Sequence, residues 1–209
     1  DVCSSDLKTY IYDVATKEKK LVETEIVPSG HNPDDYIVQR LNCDSHDGKK
    51  IPLTITRHKK TKLDGDAHLL LYGYGSYGAS MGPGFSSSRL SLINRNIIWV
   101  TTHVRGGMER GMSWWKSGKL LKKMNSFKDY ISSAKFLIEK KYTNKGKIIG
   151  MGGSAGGLLM GAVVNKAPEL FLGMIMAVPF VDTLTTNLDH SLPLTIGEFN
   201  EFGNAKENK

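Results

Sequence analysis

Lys147-Ile148-Ile149-Gly150-Met151, Gly152-Gly153-Ser154-Ala155-Gly156-Gly157, Leu158-Leu159-Met160-Gly161-Ala162-Val163-Val164: the reading of this stretch decides the fold. Its first five residues read as a strand and its last seven as an apolar helix, with G-x-S-x-G between them. Strand, G-x-S-x-G, helix is the setting of a nucleophile elbow, a sharp, strained turn that lifts a serine hydroxyl to the top of a parallel sheet. Glycines on both sides remove the Cβ atoms that would collide as strand and helix close on each other. The six central residues alone would also suit a glycine-rich left-handed turn with an incidental serine. The flanks favour the elbow.

Upstream of the elbow, residues 126–141 give the clearest helix. Phe127, Tyr130, Ile131, Ala134, Leu137 and Ile138 share one face at 3.6 spacing, and Ser126 with Asp129 suggests a capping box. Residues 68–72 and 97–102 read as short apolar strands, with a helix over 88–94 between them. Downstream, 174–178 reads as a buried strand. This alternation predicts an α/β protein with a mostly parallel sheet. Earlier in the chain, 36–43 and 50–57 read as an antiparallel pair around the Asp47-Gly48 turn. Residues 8–27 read as a separate hairpin, followed by a linker at Pro28-Ser29-Gly30-His31-Asn32-Pro33.

The 209 residues suffice for one domain with a sizeable core, and 40% hydrophobic with 23% charged residues suits a soluble globular chain. No apolar run reaches the roughly 18–20 residues of a membrane span, and no signal-peptide pattern opens the sequence. The absence of an initial methionine suggests sequence upstream, and no weight is placed on residues 1–7. Cys3 and Cys43 form neither a disulfide framework nor a metal site, so a reduced, cytoplasmic setting is expected. The net charge of +7 is spread over lysines in 17–20, 49–62, 116–123 and 140–147. These read as solvated faces. No one element carries a stripe of basic residues interleaved with stacking aromatics, so a nucleic-acid partner is not expected.

Acyl transfer needs a nucleophile, a base and donors for the oxyanion. Ser154 is the candidate nucleophile and the Ala155 N–H one oxyanion donor. The second donor is expected in the loop Tyr72-Gly73-Tyr74-Gly75-Ser76-Tyr77-Gly78. The base is harder to place. Of His31, His46, His58, His68, His103 and His190, only His190 follows Ser154. Asp182 and His190 stand in the order this architecture uses. However, 209 − 154 leaves 55 residues, too few for the remaining strands. A loop aspartate and a surface histidine are the plainer account of the two.

Several segments together resemble the prolyl oligopeptidase family of serine peptidases: residues 71–78, His103-Val104-Arg105-Gly106-Gly107, 118–123 and the elbow. Pro179-Phe180-Val181-Asp182 and residues 193–199 are most similar to its oligopeptidase B branch. The resemblance covers roughly residues 8–205. It implies a β-propeller capping an α/β-hydrolase domain, with short peptides as substrates and no cofactor or metal. Residues 1–35 would then be the end of the propeller and its linker. Residues 36–209 would be the first part of the catalytic domain, incomplete at its C-terminal end, with the family's aspartate and histidine beyond it. By position, the resemblance makes Ser154 the nucleophile and gives the oxyanion to the Ala155 amide and the Tyr74 hydroxyl. It makes Glu198 the carboxylate that selects arginine or lysine at P1, and Phe180 the aromatic packed on that side chain. Asn200, Gly82 and Gly84 stand where bacterial members can carry further acids, so a preference for paired basic residues is not implied. Rival readings are an esterase or lipase, an acylaminoacyl or dipeptidyl peptidase, and a gene remnant without function. A P1 carboxylate argues against a neutral ester pocket.

Overall fold

The computed structural model describes residues 7–82 and 84–207, so Cys3 and the opening residues lie outside the described part. Its strands are β1 (Lys8–Tyr12), β2 (Lys19–Thr24), β3 (Tyr36–Asp44), β4 (Lys50–His58), β5 (Leu69–Tyr72), β6 (Ile98–Thr102), β7 (Ile148–Gly153) and β8 (Phe171–Ala177). Its helices are α1 (Ser87–Ile93), α2 (Met112–Lys116), α3 (Met124–Glu139), α4 (Ala155–Lys166), α5 (Thr183–Leu188) and α6 (Thr195–Phe202).

The main sheet has the order β3-β4-β6-β5-β7-β8. β3 pairs with β4 and β4 with β6 in antiparallel fashion, whereas β6, β5, β7 and β8 run parallel. Such a mixed sheet with helices on its faces is the architecture of an α/β hydrolase. The central strands are apolar because both their faces are covered. Leu69 and Leu71 meet Tyr130, Ala134 and Leu137 of α3 and Leu159, Met160 and Val163 of α4 in one core. The Tyr130 hydroxyl donates to the Leu71 carbonyl at 2.5 Å, which pins α3 to the end of β5. β1 and β2 form their own two-stranded antiparallel sheet, exposed along its length.

The structure corrects three expectations. The capping box at Ser126 and Asp129 is not formed. α3 begins at Met124, with no side-chain cap. Ser126 Oγ instead donates to the Arg105 carbonyl at 2.6 Å, and Asp129 accepts from Arg105 Nε and Nη2 at 2.8 and 2.6 Å. The buried Arg105 guanidinium claims Asp129, and its backbone carbonyl claims Ser126, more strongly than a helix end would. Second, β8 is not a buried strand. It is the sheet's last strand among the described residues, and Leu172, Ile175 and Met176 are exposed. Third, Lys123 is not on a solvated face; its side chain is 12% exposed.

Candidate active site

β7 runs straight into the elbow. Ser154 has φ 53° and ψ −119°, a left-handed conformation that a β-carbon disfavours. It is held there from both sides: its N–H donates to the Ala177 carbonyl at 2.9 Å, and its carbonyl accepts from Phe180 N–H at 3.0 Å. The glycines have the role expected of them. A Cβ on Gly152 would lie 2.3 Å from the Gly156 carbonyl oxygen, and one on Gly157 would lie 2.5 Å from Pro179 Cα. Ala155 opens α4, so its N–H has no carbonyl one turn behind it within the helix and is free to face an anion.

The Tyr72–Gly78 loop leaves β5 beside this turn. Tyr74 packs against the start of α4: a Cβ built on Gly156 would lie 3.2 Å from Tyr74 Cδ2. Burial, and then the nearby phenol of Tyr72 and carboxylate of Glu198, hold the Tyr74 phenol above its usual value of 10. It is therefore a protonated donor throughout the neutral range. The loop rests on a close backbone crossing. A Cβ on Gly106 would fall 1.9 Å from the Gly75 oxygen, and the Gly106 carbonyl accepts from Gly78 N–H at 2.9 Å. This gives a physical reason for the glycine in His103-Val104-Arg105-Gly106-Gly107.

Glu198 lies on α6. Its Oε2 accepts from the Tyr77 hydroxyl at 2.7 Å. Burial and this bond to a carboxylate push the Tyr77 phenol up strongly. Tyr77 in turn stands next to Tyr74, with ring centroids 6.2 Å apart. Phe202 joins the two walls of the hollow, 5.9 Å from Tyr77 and 5.5 Å from Phe180. Tyr74, Glu198 and Phe180, far apart in sequence, are thus linked through Tyr77 and Phe202 beside the Ser154 turn. Asp182 and His190 take no part in this link. Asp182 caps α5 by accepting from Thr185 N–H at 3.3 Å, and His190 packs edge-on against Phe199 at 5.2 Å. Among the described residues, no hydrogen bond joins Ser154 to a histidine. His103 is buried with Thr54 and Arg40 on Nε2 and Glu109 on Nδ1. Arg40 can only donate, so Nε2 accepts and the ring carries its proton on Nδ1.

Sequence reasoning passed over Phe202, Trp115, Lys123 and Glu201. Glu201 accepts from Lys123 Nζ at 3.1 Å and from Trp115 Nε1 at 2.9 Å. The three-residue interval between Glu198 and Glu201 was a readable signal, since it puts both on one helical face. Nothing in the lysine run 116–123 marks Lys123 as buried. Asn200, the position where an extra acid was considered, accepts from Lys119 Nζ at 2.7 Å.

An α/β-hydrolase sheet with its serine elbow and neighbouring tyrosine defines the broad class. The comparisons narrow it. The model of the prolyl oligopeptidase family matches residues 83–209. The chain is 44% identical over 200 residues to "Dipeptidyl aminopeptidase BI" of Pseudoxanthomonas mexicana, covering 95% of this chain and 28% of that protein. It is 42% identical over 199 residues to "Protease 2" of Moraxella lacunata, with 95% and 29% covered. Oligopeptidase B from Leishmania major superposes with a TM-score of 0.92 at 40% identity, over 97% of this chain and 28% of that one. This chain belongs to the prolyl oligopeptidase family, and it spans under a third of the length of these relatives. No helix among the described residues is long and apolar enough to cross a membrane.

Proposed function

We propose that these residues are the nucleophile-bearing part of a serine peptidase that cleaves short peptides after arginine or lysine. One observation supports this reading: Tyr74, packed on the first turn of α4 just after Ser154, neighbours Tyr77, whose hydroxyl donates to the carboxylate of Glu198. Ser154 Oγ attacks the scissile carbonyl, and its proton passes to an imidazole that later protonates the leaving amine. That histidine, and the aspartate that orients it, come from outside these 209 residues. The Ala155 N–H and Tyr74 O–H hold the oxyanion. Glu198 pairs with the P1 guanidinium or ammonium, while Phe180 packs against its stem. The free Cys43 thiol, buried and pushed up to about 11 by desolvation, fits a reducing, cytoplasmic setting.

The domain division follows the same reading. Residues 1–35 close a β-propeller and lead back to the catalytic domain at 36–209. The separate β1–β2 sheet supports this.

The first test is hydrolysis. The 209-residue chain should turn over an N-blocked Ala-Arg amide no faster than its Ser154→Ala variant, because triad members act as a unit. A protein joining these residues to a histidine and aspartate should be active, with similar kcat/KM on Ala-Arg and Arg-Arg amides. A large dibasic advantage would contradict the role given to Asn200, Gly82 and Gly84. The name of the first relative favours a second reading, removal of dipeptides. It requires that blocking the substrate's N-terminus abolish cleavage, whereas the oligopeptidase reading tolerates the block.

A further inference from the structure

Lys123 has three N–H donors, and all are taken. They go to the Gly75 carbonyl at 2.7 Å, Ser76 Oγ at 2.5 Å and Glu201 Oε1 at 3.1 Å. Gly75 and Ser76 directly follow Tyr74. Glu201 lies one helical turn after Glu198. Its other oxygen is held by Trp115 Nε1, so the carboxylate too is fully engaged. The pair is buried, with Lys123 12% and Glu201 2% exposed.

α6 needs such an anchor. Its buried residues are Thr195 and Glu201, and Ile196 faces outward. Phe202 lies against Tyr77 and Phe180 and Phe199 against His190, but both stay half-buried, so apolar burial alone holds the helix weakly. Buried ion pairs add little net stability compared with an apolar pair, and a role in fixing geometry is the better explanation here.

We propose that Lys123 is a positioning residue, clasping the Tyr74 loop to α6 and so setting the oxyanion donor and the P1 carboxylate at a working separation. The proposal rests on the roles given above to Tyr74 and Glu198. It has a sign that separates it from simple electrostatics. Lys123, Glu198 and Glu201 together carry one negative charge. Deleting the ammonium leaves two carboxylates, which by charge alone would hold a cation more tightly. Loss of the clasp lets α6 drift and weakens binding.

The test uses benzamidine as the cationic probe, titrated into a protein joining these residues to a complete triad, with hydrogen–deuterium exchange of the same samples. Lys123→Met should weaken benzamidine by about tenfold. Lys123→Met with Glu201→Gln, which restores the net charge, should recover none of it. Amide exchange should rise together in 74–78 and 198–202, while β5 and β7 stay protected. Equal or tighter binding by Lys123→Met, or faster exchange in one segment alone or in neither, overturns the clasp. Should Lys123→Met lose protection in β5 and β7, the near-isosteric Glu201→Gln variant carries the exchange readout: 74–78 and 198–202 must again rise together, and a rise in neither or in one alone overturns the clasp. Glu198→Gln is the control for the site itself. If benzamidine binding is absent or indifferent to that change, the P1 assignment falls, and the exchange data alone decide the clasp.

Discussion

Ser154 is one of four non-glycine residues with positive φ around the hollow; the others are Tyr77, Val178 and Leu194, at 59°, 41° and 73°. Strain of this kind costs on the order of 1–3 kcal/mol per residue and gathers where geometry is needed more than stability. Ser154→Gly should therefore raise stability by about 1 kcal/mol, while Ser154→Ala, which keeps the Cβ, should not. Thermal unfolding of the two variants decides this; equal midpoints would mean that the turn is unstrained. The sharp turn at Ser154 and Ala155 was legible because glycines write the backbone path into the sequence, whereas Tyr74 was singled out within its loop only by the family resemblance. Lys123 was not, because a buried lysine and a solvated one look alike until a carboxylate from 78 residues away is placed beside it.

At the scale of elements, strands and long helices followed their periodicity closely, and the errors have physical causes. The capping box failed because Arg105, between β6 and α2, draws Asp129 and Ser126 inward. Arg105 also bonds Asp47 in the β3–β4 turn at 2.6 Å, so it joins that turn to α3. Asp129 is 0% exposed. Arg105→Met should cost about 3–5 kcal/mol because it strands a buried carboxylate. Asp129→Leu in the same chain should return much of it. Urea titrations of the single and double variants check this, and a fully additive pair would contradict the coupling. Asp47 adds a pH dependence. Burial opposes its ionisation, but the Arg105 hydrogen bond and charge, together with the Lys49 N–H bond, outweigh this and hold it below its usual 3.8. Its contribution is present above 3.8 and is lost as pH falls through the lower folded value, so Asp47→Asn should flatten that part of the acid profile. α6 was not read as a helix because its apolar row, Ile196, Phe199 and Phe202, sits on a helix of only eight residues; its fully buried residues are one hydroxyl and one carboxylate.

Across the whole molecule, one side stands out. Leu172, Ile175 and Met176 of β8 are exposed, and so are Val178, Leu184, Leu194 and Ile196 on the segments after it. A parallel edge strand with apolar side chains and open backbone groups invites association. The 209-residue chain should self-associate at micromolar concentration, seen by light scattering; a reversible, cooperative melt of a monomer would argue otherwise. The α/β class was readable from the alternation of strands and helices. The position of this open face was not, because an apolar strand such as Met174-Ile175-Met176-Ala177 reads alike with or without a neighbour.

The central claim is that Glu198 makes this elbow select a basic residue. The most direct measurement is kcat/KM for two amides differing only in P1 arginine or norleucine, in a protein joining these residues to a complete triad, with and without Glu198→Gln. The substitution should lower the arginine value by about 30-fold or more while leaving norleucine nearly unchanged. An equal loss on both substrates, or none on arginine, would contradict it.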